Sequence, residues 1–124
     1  MASDMSELPS STERFCYVTT TGRRTGRPHT IEIWYVASGD TIYILMGGGD
    51  HADTVRNSRS DPRARVRIGE REYNAIARIL EDEADGEAVF AREQIPRKYA
   101  NEEAGLEAWA QGALPVAFDL QRPR

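Results

Sequence analysis

The sequence has few of the residues that build disulfide frameworks or metal sites. Its 124 residues include a single cysteine, Cys16, so no internal disulfide can form and nothing requires an oxidising compartment. The two histidines, His29 and His51, do not combine with this cysteine in any metal-ligand spacing. The sequence therefore predicts no metal site.

Long apolar runs and several common catalytic motifs are also missing. No stretch approaches the roughly 20 apolar residues of a membrane span. The first 13 residues are polar and acidic, unlike a signal peptide. We therefore expect a cytoplasmic protein without stable membrane insertion. The motifs G-x-G-x-x-G, G-x-x-x-x-G-K-[ST] and G-x-S-x-G are absent, so the sequence indicates neither a Rossmann site, nor a P-loop, nor a hydrolase nucleophile elbow.

Lysine is nearly absent, and the arginines that replace it are unevenly placed. Fifteen of the sixteen basic residues are arginine, in a chain of net charge −4. Residues 14–78 hold 11 arginines against 7 acidic residues, whereas residues 79–124 hold 5 basic residues against 10 acidic ones. This acidic second half argues against binding along a nucleic-acid backbone, so we expect no nucleic-acid partner.

The positive charge is concentrated in the stretch T-G-R-R-T-G-R-P, Thr21 to Pro28. A turn containing Gly22 and Gly26 can present backbone N–H groups to an anion. The arginines beside them can add charge-assisted, bidentate hydrogen bonds to phosphate or carboxylate. A solvated hairpin turn in an arginine-rich proteome would have the same composition, so composition alone leaves both interpretations open.

The order of apolar residues predicts about six short strands, mostly linked by hairpins, and two or three short helices. The strands are expected over residues 15–20, 30–36, 42–46, 65–69, 73–80 and 114–120. The helices are expected over 55–59, capped near Asp50 or Asp53, over 85–95, broken or restarted by Pro96, and over 102–111. Residues 1–13 are predicted to form a flexible arm, followed by one domain over 14–124. This pattern favours a mainly β (α+β) fold, a small antiparallel barrel with appended helices.

Several motifs in order resemble the deazaflavin-dependent nitroreductase family, whose members use coenzyme F420. T-T-x-G-R-[KR]-[ST]-G-x-P begins at Thr19, and W-Y-V-x-x-G-D-x-I-Y begins at Trp34. A glycine-rich segment, the stretch V-R-N-x-R-x-D-P-R-x-R-V-R-I-G from Val55, and a final L-P-V follow. The resemblance covers residues 15–120 and implies a split β-barrel related to flavin-binding oxidases.

The resemblance also implies a cofactor and its contacts. Coenzyme F420 carries a phosphodiester and a tail of several glutamates, which would explain the charge of the turn. The implied cofactor-binding residues are Arg23, Arg24, Thr25, Gly26, Arg27, Pro28 and His29 in the turn, Met46, Gly47, Gly48 and Gly49 at a strand end near the ring, and Thr54, Val55, Arg56 and Asn57 beside it. Glycines suit a close approach to a flat ring because they have no Cβ.

The predicted function is hydride transfer from reduced deazaflavin to a small unsaturated, quinone or nitro substrate. Tyr99 is the candidate catalytic residue, because its phenol could supply a proton; packing at a helix end is the alternative. Two other functions stay open at this point: an FMN-binding protein similar to pyridoxamine-phosphate oxidases, and a non-catalytic deazaflavin carrier. A homodimer is a further possibility.

Overall fold

The computed structural model describes residues 8–121, which form a mainly β fold with three helices. The strands are β1 (Cys16–Thr21), β2 (Pro28–Ile33), β3 (Val36–Ser38), β4 (Thr41–Met46), β5 (Arg63–Ile68), β6 (Arg71–Ile79) and β7 (Leu114–Gln121). The helices are α1 (Asp53–Ser60), α2 (Gly86–Lys98) and α3 (Leu106–Gly112), and one turn of 3-10 helix covers Gly49–His51. No helix in this described part is long and apolar enough to cross a membrane.

All seven strands belong to one antiparallel sheet, in the order β2-β1-β5-β6-β7-β4-β3. If this sheet were flat, its two edge strands would lie about 29 Å apart. Yet the edge strands β2 and β3 are joined only by Trp34 and Tyr35, a link that spans roughly 11 Å when extended. The sheet must therefore curl until its edges nearly meet, and the predicted split barrel is confirmed.

The prediction of a single strand over residues 30–36 is wrong. Strand β2 ends at Ile33, and after Trp34 and Tyr35 the chain continues as β3 at the opposite edge of the sheet. The side chains of Trp34 and Tyr35, which connect β2 to β3, contact different partners. Tyr35 is buried and its hydroxyl donates to the carbonyl of Ser10 at 2.6 Å. Trp34 stacks on Tyr99 with ring centroids 4.3 Å apart. Because Trp34 and Tyr35 pack on different partners, both faces of residues 30–36 are apolar. The chain therefore has a seventh strand, β3, that the sequence did not predict.

The core has two parts, one inside the barrel and one between the barrel wall and the helices. Strand β4 contributes to both: Ile42 and Ile44 point into the barrel, whereas Tyr43 and Leu45 lie under α2 and α3. This confirms the expectation that its continuous apolar run is buried on both faces. In β5, by contrast, Ala64, Val66 and Ile68 face inward and the arginines between them face solvent.

The helix ends differ from the predicted ones. Helix α1 begins after Ala52 without a side-chain cap, because Asp53 is turned instead towards Arg23. Pro96 does not break α2 but lies buried in its last turn, where the missing N–H removes only one helical hydrogen bond. Helix α3 begins at Leu106 rather than at 102, after Gly105 in the left-handed conformation with φ of 80°.

Two residues near the start of the described part contact the rest of the fold. Pro9 is buried, and the carbonyl of Arg14 accepts a hydrogen bond of 2.7 Å from the Tyr99 hydroxyl. Arg14 also forms an ion pair with Glu102. These contacts are made by Pro9 and by Arg14, the first residue after the predicted arm; the flexibility of residues 1–13 stays a prediction, and residues 1–7 lie outside the described part.

A network of charged groups fastens the beginning of α2 to the outer wall of the barrel. Arg78 on β6 donates two hydrogen bonds of 2.9 Å to Glu87 and bonds of 2.6 and 3.0 Å to Asp119 on β7. The Tyr43 hydroxyl donates to the same Glu87 carboxylate. The Arg78 guanidinium, and secondly this hydroxyl, lower the pKa of Glu87 to about 2.

We expect Glu87→Gln to flatten the acid dependence of stability. Because folding depresses the pKa of Glu87, its contribution is complete above the unfolded value near 4.5 and is lost as the pH falls towards 2. Urea unfolding between pH 6 and pH 2 measures this, and added salt should weaken the effect because these side chains are partly exposed. Glu93→Gln is the control, since Glu93 is exposed and has no ion pair in residues 8–121. Equal pH profiles for wild type and Glu87→Gln would contradict the assignment.

Candidate functional site

The arginine turn, residues 22–28, is a tight loop between β1 and β2. The Gly22 N–H donates to the carbonyl of Arg27 and the Gly26 N–H donates to the carbonyl of Gly22, both at 2.8 Å. Gly26 has a φ of +74°, a conformation that favours glycine. A Cβ on Gly22 would lie 3.0 Å from the Arg27 carbonyl oxygen. These two glycines therefore fix the shape of the turn.

Asn57 of α1 holds the arginine turn in place through hydrogen bonds to Arg23. Its Oδ1 accepts hydrogen bonds from the Arg23 backbone N–H at 3.1 Å and from the Arg23 guanidinium at 2.9 Å. Its Nδ2 donates to the Thr20 hydroxyl at 3.2 Å. Asn57 is only 2% exposed. Its amide is thus committed to the chain, and its role in the site is to position the arginine turn.

The three arginines of the turn are not equivalent. Arg23 also donates to Asp53 at 3.2 Å, so its charge is partly neutralised and its side chain is only 22% exposed. Arg24 and Arg27 are exposed, and their guanidinium groups have no hydrogen bond or ion pair within residues 8–121. A cavity of about 290 Å³ opens at the turn, lined by all three arginines, His29, Asp53 and Asn57. The charge available to a ligand is therefore that of Arg24 and Arg27.

His29 and Thr25 complete the rim of this cavity. The Thr25 hydroxyl accepts a hydrogen bond from the Arg27 N–H at 3.1 Å and so stiffens the turn. The Nδ1 atom of His29 is buried without a hydrogen-bond partner in the described structure. Buried polar atoms are normally paired. Because this atom is buried, a ligand on the turn cannot reach it.

The glycine segment, Met46 to Gly49, follows β4 and leads through the 3-10 turn into α1. Gly49 has a φ of +56°. A Cβ on Gly47 would lie 3.1 Å from the indole nitrogen of Trp109. Close approach of a flat ring does require glycine here, but the ring that Gly47 meets in this structure is a tryptophan of α3.

The predicted residues of α1 have different surroundings. Thr54 and Val55 are buried, and their side chains pack inside the fold. Only Arg56 is exposed; it donates to the carbonyl of Asp50 at 3.2 Å. Side-chain contact with a ligand is therefore open to Arg56, whereas Thr54, Val55 and Asn57 act by packing and positioning.

Helix α1 sets the distance between the two parts of the site. It begins four residues after Gly49, and Asn57 lies one turn further along. At the rise of a helix and the reach of an extended chain, the glycine segment and the arginine turn are at most about 20 Å apart. One extended ligand with an anionic part and a flat part can reach both.

Three aromatic rings form a row beside the glycine segment. Trp34 stacks on Tyr99 with an interplanar angle of 8°, and Trp109 meets Trp34 edge-on at 6.5 Å. Trp109 is 38% exposed, whereas Tyr99 is 1% exposed. Sequence reasoning missed the place of Trp109, because nothing local relates a tryptophan on α3 to a glycine more than 60 residues earlier.

The hydroxyl of Tyr99 is occupied by contacts within the fold. Its hydroxyl donates towards the carbonyls of Arg14 at 2.7 Å and Tyr35 at 3.2 Å and accepts from the Tyr35 N–H at 3.1 Å. Burial raises the pKa of this phenol well above its usual value. These features favour the packing alternative over the catalytic one, because a saturated, buried hydroxyl is a poor proton donor.

We expect Tyr99→Phe to lower stability and leave turnover nearly unchanged. The substitution leaves the buried N–H of Tyr35 without its acceptor, which costs about 1–3 kcal/mol. Thermal unfolding and steady-state turnover of the same preparation measure the two effects. A tenfold fall in turnover at an unchanged melting temperature would restore the catalytic assignment.

Solved structures of other proteins share the fold of this chain. Three solved structures share the fold at TM-scores of 0.61 to 0.69. An FAD-binding protein from Mesorhizobium loti is 14% identical (TM-score 0.69; 98% of this chain, 91% of that one). An F420-H2 dependent reductase is 19% identical (TM-score 0.67; 87% and 94%), and a protein described as a domain-swapped dimer is 18% identical (TM-score 0.61; 87% and 80%). These similarities show the fold: this chain shares its split barrel with these proteins.

The family follows from the sequence itself. The model of the F420H(2)-dependent quinone reductase family matches residues 8–120, so the chain belongs to this family. It is an F420H2-dependent oxidoreductase, and its cofactor is coenzyme F420. The predicted deazaflavin family is thereby confirmed, and the FMN-binding alternative is not supported. No curated protein matches the sequence.

Proposed function

We propose that the protein reduces small quinones with F420H2 and that the arginine turn binds the anionic part of the cofactor. The observation that carries this proposal is the pair of unpaired guanidinium groups, Arg24 and Arg27, on a turn fixed by the buried Asn57. In a chain of net charge −4, two solvent-facing cations on a rigid turn suit a phosphate or carboxylate group. Thr25, Gly26, Pro28 and His29 complete this subsite.

The residues present fit coenzyme F420 at both ends. Its phosphodiester and glutamate tail match Arg24 and Arg27, with Arg23 and Asn57 as positioning residues. Its flat ring would lie along the segment Met46–Gly49, at the Gly49 end, where a Cβ would have no atom within 4 Å, rather than at Gly47, which the Trp109 indole covers. The first turn of α1, from Thr54 to Asn57, closes that side of the subsite.

The protein binds and orients the cofactor and the substrate, and the cofactor supplies the reactive group. When bound, the reduced deazaflavin supplies the hydride. The Tyr99 hydroxyl is already occupied by hydrogen bonds within the fold, so it is not the proposed proton donor. Water is therefore the proposed proton source. A quinone, whose reduced form is readily protonated in water, needs no dedicated protein acid.

Two further parts of the prediction stay proposals. Cytoplasmic location rests on the sequence alone. A homodimer is supported by the structural relative that is described as a domain-swapped dimer. Size-exclusion chromatography with light scattering, at concentrations bracketing the working range, tests the dimer.

A cofactor titration tests the binding proposal. Affinity for F420 should fall as salt is added and as the glutamate tail is shortened, because screening weakens exposed ion pairs. FMN, which has a phosphate but no such tail, should bind less tightly under the same conditions. Tighter binding of FMN than of F420, measured by fluorescence, would contradict the assignment of the arginine turn.

A further inference from the structure

Strand β5 carries three exposed arginines, Arg63, Arg65 and Arg67, which alternate with the buried residues of the same strand. Arg63 donates two hydrogen bonds, of 2.9 and 3.0 Å, to the carboxylate of Asp61. Arg67 donates one of 2.9 Å to the carbonyl of Gly69. Arg65, between them, has no hydrogen bond or ion pair within residues 8–121. Of the three guanidinium groups, that of Arg65 is therefore the one left free for a ligand.

Arg65 lies at a cavity of about 360 Å³ on the outer wall of the barrel. Thr19 of β1 and Asn74 of β6 are its partners on the two sides, so its backbone is held within the sheet. Thr21 and Asn74 also line the cavity, and neither side chain has a hydrogen bond within the described part of the chain. Their hydroxyl and amide groups can donate to an anion. None of the described lining residues is acidic, so a carboxylate would enter without like-charge repulsion.

This cavity adjoins the arginine turn. Pro28 lines both the cavity at Arg65 and the cavity of the turn, and Gly26 of the turn also lines the former. In the sheet, Pro28 is paired with Thr21, and Arg65 is paired with Thr19 on the other side of β1. Two strand spacings and two residues therefore separate the Cα atoms of Pro28 and Arg65, a distance of about 12 Å.

A ligand that reaches from the arginine turn to Arg65 must be extended and must carry negative charge at both ends of that span. The cofactor of this family has this form, because F420 carries a phosphodiester followed by a tail of several glutamates. Four extended residues span about 14 Å, which is longer than the separation of Pro28 and Arg65. Each glutamate adds a carboxylate, which an arginine can bind through two parallel hydrogen bonds.

We propose that Arg65 is a second anion subsite, which binds a carboxylate in the distal part of the F420 glutamate tail. The tail leaves the arginine turn past Pro28 and crosses the outer face of β1 to reach it. This inference rests on the proposed binding of the cofactor's anionic part at the arginine turn, and it adds a residue that responds to the length of the tail. Affinity should therefore rise with each added glutamate until the tail reaches Arg65, and then level off.

Titration with two forms of the cofactor tests the proposal: F420 with several glutamates, and the form that keeps the phosphodiester but has no glutamate. Followed by cofactor fluorescence at low salt, Arg65→Ala should raise the Kd for the long-tailed form about fivefold, as for a well-formed exposed ion pair. The Kd for the form without glutamate should equal that of the wild type. Arg97→Ala is the control, since it removes another exposed arginine without a partner in residues 8–121, and it should change neither Kd.

The possible failures of this experiment are distinct. Equal Kd values for the long-tailed form in Arg65→Ala and wild type would overturn the proposal while leaving the cofactor site at the arginine turn intact. An equal loss of affinity for both forms would assign Arg65 to the phosphodiester and would also overturn it. If the wild type binds neither form, the proposed cofactor site itself fails and the tail subsite fails with it. Urea unfolding of Arg65→Ala should match the wild type, because this side chain has no partner to lose in the described structure.

Discussion

Replacing Asn57 with alanine is expected to lower the free energy of unfolding by about 3 kcal/mol and to weaken F420 binding at least tenfold. The alanine removes the acceptor for both the backbone N–H and the guanidinium of Arg23, and the donor to Thr20. Each buried group left without a partner costs about 1–3 kcal/mol. The arginine turn then keeps only the exposed Arg23–Asp53 ion pair as its attachment to α1. Binding of F420 weakens because part of the binding free energy must restore the geometry of the turn.

Ser58→Ala is a matched control for this experiment. Ser58 is the next residue of α1, is 4% exposed, and has a hydroxyl without a hydrogen-bond partner in residues 8–121. Removing an unpaired buried hydroxyl should leave stability unchanged or slightly higher. Urea unfolding and F420 titration on both variants give the comparison. If Asn57→Ala is as stable as Ser58→Ala and binds F420 normally, the positioning role is refuted.

The second large effect is expected from the double variant Arg24→Ala/Arg27→Ala. A hydrogen bond to a charged group is worth about 1.5–3 kcal/mol. Losing both arginines should therefore cost about 3 kcal/mol of binding, more than a hundredfold in the Kd for F420. Stability should hardly change, because neither side chain has a partner in the described structure. The salt dependence of binding should fall at the same time.

The control for charge is Arg97→Ala, an exposed arginine of α2 whose side chain forms no hydrogen bond or ion pair in residues 8–121. It removes positive charge without touching the arginine turn, so the Kd for F420 should stay close to that of the wild type. A double variant that binds F420 as tightly as Arg97→Ala would show that the turn is not the anion subsite. Arg23→Ala is less informative, because Arg23 also joins the turn to Asn57 and Asp53.

Local signals in the sequence were sufficient for most of the barrel. The alternation in β5 and the continuous apolar run of β4 predicted which faces are buried, because these patterns depend on a single strand and its neighbours. The break at Trp34 and Tyr35 could not be predicted in this way. It arises because the sheet closes on itself, and closure depends on the pairing of strands far apart in the sequence.

In the candidate site, too, the local features could be predicted from the sequence, whereas the contacts between distant residues could not. The arginine turn was recognisable, since its glycines and arginines are adjacent in the sequence. The support from Asn57 crosses 34 residues, and the contact of Trp109 with Gly47 crosses more than 60. The predicted caps at Asp50 or Asp53 failed for a related reason: Asp53 is used in an ion pair with Arg23 that only the folded chain brings within reach. Tyr99 resembled a donor in sequence, yet its hydroxyl joins two distant segments.

The most direct test is the oxidation of F420H2 by menadione in the presence of the purified protein, followed by the return of the visible absorbance of the oxidised deazaflavin. The account predicts a rate that is proportional to protein concentration, saturates with F420H2, and falls strongly in Arg24→Ala/Arg27→Ala but not in Arg97→Ala. A rate no greater than that without protein, or acceleration with reduced FMN and not with F420H2, would contradict it.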